Sequence, residues 1–305
     1  MQQYQTAEIQ DTVRCYRPID ELIPSHWTQG DIIATGIRQH YYRTGRGDKP
    51  PLVLLHGILE GALAWLRTAR ALEQDYDVVM IDTRGHGDSD GIATGYSQAL
   101  LAADAAGVIR ALGLGPARLL GFSQGAGTAI LVAAEHPGLI HSLIVAGWGS
   151  EEVNTDFTGS PGYQAWLSAY IAWLEQLKTQ THAERMVAAL SQLPPGAPLA
   201  LEDEYVPWVE TSARLDLDLV RLGPELWARL GAEVRAMRAA LERIDCPVLI
   251  MKSEFFPQPG APQSVREETA DRPNVRIIRF ENTGHLIYRE QFEPFVAITR
   301  EFFER

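Results

Sequence analysis

Gly121-Phe122-Ser123-Gln124-Gly125 fits the pattern G-x-S-x-G, with a further glycine at 127. A serine held between small residues, where an apolar run gives way to a helical pattern, suits a nucleophile. A sharp strand-to-helix turn lifts its hydroxyl clear of the backbone, and the glycines leave room for the turn and for an approaching carbonyl. Such a hydroxyl is weak until a base takes its proton. Among the eight histidines, His285 in "FENTGHLIYRE" stands where that base is needed: after the apolar run 274–280, preceded by Gly284, and later in the chain than the serine. An acid must then orient the imidazole. Glu254 is the only carboxylate in "SEFFPQPG", directly after the run 246–253, and it is favoured over Glu151 and Glu152 of "WGSEE". A developing oxyanion asks for two amides, and the chain offers Gln124 at the start of a helix and Ile58 in "LLHGILEG", where Gly57 permits the turn. Leu59 beside it is read as pocket wall.

These residues need elements to bring them together. Residues 30–43 alternate apolar and polar as one or two antiparallel strands with a turn near Gly36. Continuous apolar runs at 50–57, 77–82, 117–122 and 141–147 read as strands buried on both faces. Helical patterns at 98–114 and 124–135 lie between them. Such alternation predicts a parallel sheet with helices on both faces, whose strand-end loops converge on one edge. The rhythm breaks after Trp148, and from 150 to 243 only helical patterns and breakers occur. Tyr163, Trp166, Tyr170 and Trp173 form an aromatic stripe there, and Trp166 and Tyr170 are taken as substrate-binding. Alternation resumes with a strand at 246–253, a helix near 263–270, a strand at 274–280 and a last helix through about 290–304. The division expected is a core of 1–149 and 244–305 with a helical cap, or lid, at 150–243.

"HGILEGALAW", "DTRGHGDSD", "GFSQGAG" and "TGHLIYREQFEPF", in that order, resemble the α/β-hydrolase superfamily over roughly residues 32–305, closest to capped esterase- and lactonase-type members with a serine nucleophile. The resemblance implies an α/β fold with an eight-stranded, mostly parallel sheet, a helical cap after the sixth strand, a Ser–acid–His triad and no cofactor. It assigns Ser123 as nucleophile, His285 as base and the amides of Ile58 and Gln124 as oxyanion hole. Phe122 and Gln124 stand where relatives often carry His and Met. The family's usual position for the acid falls on Phe256, which leaves Glu254 or the pair Glu151 and Glu152. The activity expected is hydrolysis of a carboxylic ester or lactone of a hydrophobic small molecule through an acyl-enzyme. Perhydrolysis or carbon–carbon hydrolysis on the same serine, and a low-turnover ligand-binding protein, are the alternatives.

The composition fits this reading. The chain has 305 residues, 46% hydrophobic and 22% charged, with a formal net charge of -12. That charge repels nucleic acid and anionic membrane, so neither is an expected partner. Asp82, Asp88 and Asp90 have no accompanying His or Cys at ligand spacing and are read as turn residues, so no metal is expected. Cys15 and Cys246 stand far apart without a redox motif. The first residues show no basic start followed by an apolar run, so the expected compartment is the cytoplasm.

Overall fold

The computed structural model describes residues 6–91, 96–148, 159–193, 201–253 and 263–304. Nine strands form one sheet: β1 (Thr28–Ala34), β2 (Ile37–Arg43), β3 (Pro51–Leu55), β4 (Asp77–Ile81), β5 (Ala117–Phe122), β6 (Ile140–Ala146), β7 (Val248–Lys252), β8 (Ser264–Glu268) and β9 (Val275–Glu281). Their order is β1-β2-β4-β3-β5-β6-β7-β9-β8. The run from β4 to β9 is parallel, while β1, β2 and β8 pair antiparallel at the edges. Helices α1 (Ala7–Arg14), α2 (Ile19–Leu22), α3 (Leu66–Leu72), α4 (Gln98–Ala111), α5 (Gln124–Glu135), α6 (Pro161–Thr179), α7 (His182–Ala189), α8 (Glu202–Arg214), α9 (Leu217–Arg221), α10 (Gly223–Leu241), α11 (Ile287–Glu290) and α12 (Phe292–Phe303) cover it.

The central strands are apolar throughout because both faces are covered. Within β3, Leu52 and Leu54 join one core cluster with Trp65, Phe122 and Phe295, whereas Val53 and Leu55 join a second with Ala129, Ile130 and Met237. That is the two-residue period of a strand distributed to two helical layers.

Two expectations are corrected. The segment expected as a helix near 263–270 is the edge strand β8, which pairs antiparallel with β9. It is fixed by charge: Arg266 bridges Glu281, and Glu268 takes both Arg279 and Lys252. Charged side chains are a common means of guarding a sheet edge. This strand makes the sheet nine-stranded rather than eight-stranded. Val234, Met237 and Ala240 of α10 belong to the second core cluster. No helix among the described residues is long and apolar enough to cross a membrane.

Candidate active site

β5 ends at Phe122, and α5 begins at Gln124. Ser123 between them has φ 53 and ψ -113, left-handed backbone that a side chain rarely adopts. Such strain costs on the order of 1–3 kcal/mol and persists only where the surroundings hold it. Here the Ser123 amide donates to the Ala146 carbonyl at 2.9 Å, and its carbonyl accepts from Ala126 at 3.0 Å. The flanking glycines are obligatory for packing. A Cβ on Gly121 would stand 2.1 Å from the Gly125 carbonyl oxygen, and one on Gly125 would stand 2.3 Å from that of Leu55. Strand and helix therefore meet backbone to backbone over the end of β3.

His285 lies in the loop after β9, and its Nε2 is 3.0 Å from Ser123 Oγ. The Gly284 amide donates to Glu290 at 2.7 Å, which closes the loop onto α11. The imidazole stacks near Phe122, with ring centroids 4.9 Å apart. Gly147, at φ 60, gives both rings space: a Cβ there would meet Phe122 at 2.4 Å and His285 Cε1 at 3.4 Å. Burial lowers the His285 pKa from its ordinary value, and the charge of Glu60 works against that shift. The neutral imidazole, the form able to take a proton, is thereby favoured.

The loop 57–60 is tied down from three sides. Buried His56 donates from Nδ1 to the Gly57 carbonyl at 2.8 Å and accepts the Thr83 amide at Nε2 at 3.1 Å. Burial takes its pKa down to about 4. Glu60, also buried, accepts the Gly57 amide at 2.9 Å, the Tyr288 hydroxyl at 2.6 Å and the Arg289 guanidinium at 3.2 Å. One carboxylate thus joins this loop to the helix that follows His285. Asp82 accepts the amides of Ala62 at 2.6 Å and Asp88 at 3.1 Å, a turn role.

Ser123, His285, Ile58 and Gln124 line one cavity of about 210 Å³. The amide of Gln124 is in the first turn of α5, where backbone donors point out of the helix. The structure does not bring Leu59, Trp166 or Tyr170 to this cavity among its described lining. Leu59 packs against the first core cluster. Trp166 is 48% exposed, and Tyr170 stacks on it at 5.3 Å. Trp173 belongs to the first core cluster, and Tyr163 and Tyr170 pack against it. The wall is made instead by α10, with Leu226, Trp227, Leu230 and Met237, and by Tyr96 and Trp148. Sequence reasoning missed these residues and Glu60. The signal present was the spacing of 226, 230, 234 and 237 on one helical face. Glu254, Glu151 and Glu152 lie outside the described residues. No group of acidic, His and Cys side chains able to hold a metal occurs among the described residues.

A sequence model of the alpha/beta hydrolase fold matches residues 50–291. N-formylmaleamate deformylase of Pseudomonas putida is 28% identical over 279 residues, covering 90% of this chain and 96% of that protein. Epoxide hydrolase 4 of Mus musculus is 34% identical over 125 residues, covering 40% of this chain and 35% of that protein. Among solved structures, an N-formylmaleamic acid deformylase from Pseudomonas putida superposes with a TM-score of 0.66 at 20% identity, covering 88% of this chain and 99% of the other.

Proposed function

Because the chain belongs to the alpha/beta hydrolase fold family, we propose that it is a serine hydrolase cleaving a carboxylic ester or lactone of a small hydrophobic molecule through an acyl-enzyme on Ser123. The observation that carries this is the 3.0 Å contact between Ser123 Oγ and His285 Nε2 at a strained elbow that lines a cavity. His285 takes the hydroxyl proton as Oγ attacks the carbonyl, and the tetrahedral oxyanion is stabilised by the amides of Ile58 and Gln124. Collapse expels the alcohol, which leaves with the proton from His285. The same imidazole then deprotonates water, which attacks the acyl carbon and releases Ser123 and the acid. A carboxylate from Glu254, or from Glu151 or Glu152, orients the imidazole. An apolar wall fits a hydrophobic substrate.

A second reading keeps the same Ser–His pair but cleaves another acyl bond, an amide or a carbon–carbon bond. It is favoured by the similarity to a deformylase along 90% of the chain. The epoxide hydrolase likeness covers 40% of the chain, and that chemistry uses a carboxylate nucleophile where this chain has Ser123. The test is intact-protein mass spectrometry after a fluorophosphonate probe, beside product analysis on p-nitrophenyl esters, lactones and matched amides. One adduct on Ser123, absent from Ser123→Ala, with ester or lactone turnover supports the proposal. Labelling with amide turnover alone selects the second reading. No adduct on folded protein overturns both.

A further inference from the structure

The cavity that holds Ser123 has one acidic side chain and no Lys or Arg among its described lining: Glu233, on α10, with Leu230, Val234, Tyr96, Trp148 and Trp227 lining the same cavity. Of the 27 Lys and Arg, every one except Arg305 is among the described residues, and none lines the cavity. A substrate carboxylate entering this space would therefore meet a carboxylate with no lining cation to offset it.

Burial favours the neutral form of Glu233, and the nearby backbone amide of Gln98, at the start of α4, favours its charged form. A carboxylate has further acceptor sites beyond one amide. Arg229, one turn earlier on the same helix, is exposed, donates to the Tyr96 carbonyl at 3.2 Å and acts on Glu233 from outside the cavity. The cavity is thus lined by a half-buried carboxylate and, elsewhere on the same lining, by the rings of Tyr96, Trp148 and Trp227. That pairing recognises ammonium groups, through charge and through the negative ring faces. The acidic balance of the whole chain acts in the same direction on an approaching cation.

Resting on the serine hydrolase reading, we infer that Glu233 is a specificity-determining residue: the site takes esters carrying an ammonium group on the part of the substrate seated against α10, and rejects carboxylates there. Like-charge rejection and opposite-charge attraction both contribute to such a preference.

The test compares p-nitrophenyl esters of one chain length ending in trimethylammonium, methyl or carboxylate, in wild type and Glu233→Gln. The variant keeps an oxygen for the Gln98 amide and loses the charge. The readout is the ratio of kcat/KM between esters within each enzyme, so a general loss cancels. Expected in wild type is ammonium above methyl and carboxylate lowest. In Glu233→Gln the ammonium-to-carboxylate ratio falls by about tenfold or more, mainly through KM. A carboxylate ester as good as the ammonium ester in wild type, or a ratio unmoved by the substitution, overturns the inference. A binding arm separates it from the catalytic reading. Ser123→Ala protein is titrated with butyltrimethylammonium and with pentanoate, following tryptophan fluorescence. Glu233-dependent ammonium binding by a protein that takes no fluorophosphonate and turns over no ester would uphold the inference and sink the hydrolase reading. Turnover and Ser123 labelling with a flat charge preference would do the reverse.

Discussion

The elbow at Ser123 and the wall formed by α10 face the same cavity, yet they are built on opposite principles. At the elbow, backbone touches backbone: the Cβ positions of Gly121 and Gly125 fall 2.1 Å and 2.3 Å from carbonyl oxygens, so residue type is dictated within a few positions of sequence. At the wall, side chains of a helix meet open space. Leu226, Trp227, Leu230 and Glu233 line the cavity with side chains rather than backbone. The lesson is a division of labour. On the proposed reading, the loops at the strand ends carry the reaction and α10 carries the selection.

The largest effect should come from the reacting pair. Ser123→Ala and His285→Ala are each expected to lower kcat on a p-nitrophenyl ester by on the order of 10⁴-fold or more. The double variant should fall little further, since the two act as one unit. Additive losses would separate the pair and break the comparison at its first term.

Next in size is the elbow's packing. In Gly125→Ala the new methyl meets the carbonyl oxygens of Leu55 and His56 at 2.3 Å and 2.6 Å. These atoms belong to β3 and the loop after it and have nowhere to move. A loss of upwards of about 3 kcal/mol in denaturant unfolding is expected. Gly138→Ala is the control, because nothing lies within 4 Å of its Cβ position. Similar midpoints for both variants would show that the close approach at the elbow carries no stability.

The third effect is on pH. His285 must be neutral to act as base, and burial depresses its pKa below the ordinary 6.5. The acid limb of kcat/KM should therefore have its midpoint below 6.5, falling about tenfold per pH unit beneath it. Glu60 raises this pKa, so Glu60→Gln should move the midpoint lower still. A midpoint at or above 6.5 in wild type contradicts the desolvated base. Stability has its own acid dependence. His56 and His86 are buried, with pKa values taken down to about 4 and about 3. The unfolded chain binds protons at these sites first, so their contribution is complete above 6.5 and is lost as pH falls toward those values.

How far the sequence discloses this depends on how local the constraint is. Ser123, its glycines and the loop glycine before His285 are legible because a strained turn and an exposed hydroxyl admit few residue types. The parallel strands are legible because burial on two faces leaves unbroken apolar runs such as 51–55. β8 is not, because "SVREE" carries no apolar period and is held by its pairing with β9 and by ion pairs to β9 and β7. Glu60 is hidden for a similar reason. Its partners Tyr288 and Arg289 lie more than two hundred positions away. The cap stripe at 163–173 shows the opposite fault: a strong local pattern with the wrong destination. Helical spacing reveals which residues share a face, but tertiary packing alone decides whether that face meets a cavity, another helix or water.

The smallest effects test that last distinction directly. Trp227 lines the cavity, while Trp166, on the stripe the sequence favours, is 48% exposed, stacks on Tyr170 and lies tilted against Tyr163. Trp227→Ala removes apolar surface that a bound substrate would cover, and the loss falls on ground state and transition state alike. KM for a neutral hydrophobic ester should rise by about tenfold while kcat changes little. Trp166→Ala touches neither the cavity nor the reacting groups, and its kcat/KM should stay within about twofold of wild type. The reverse ranking would mean that the substrate extends over the outer face of the cap. Recognition would then lie on the 163–173 stripe, and the division between a sheet that reacts and a single helix that selects would have to be redrawn.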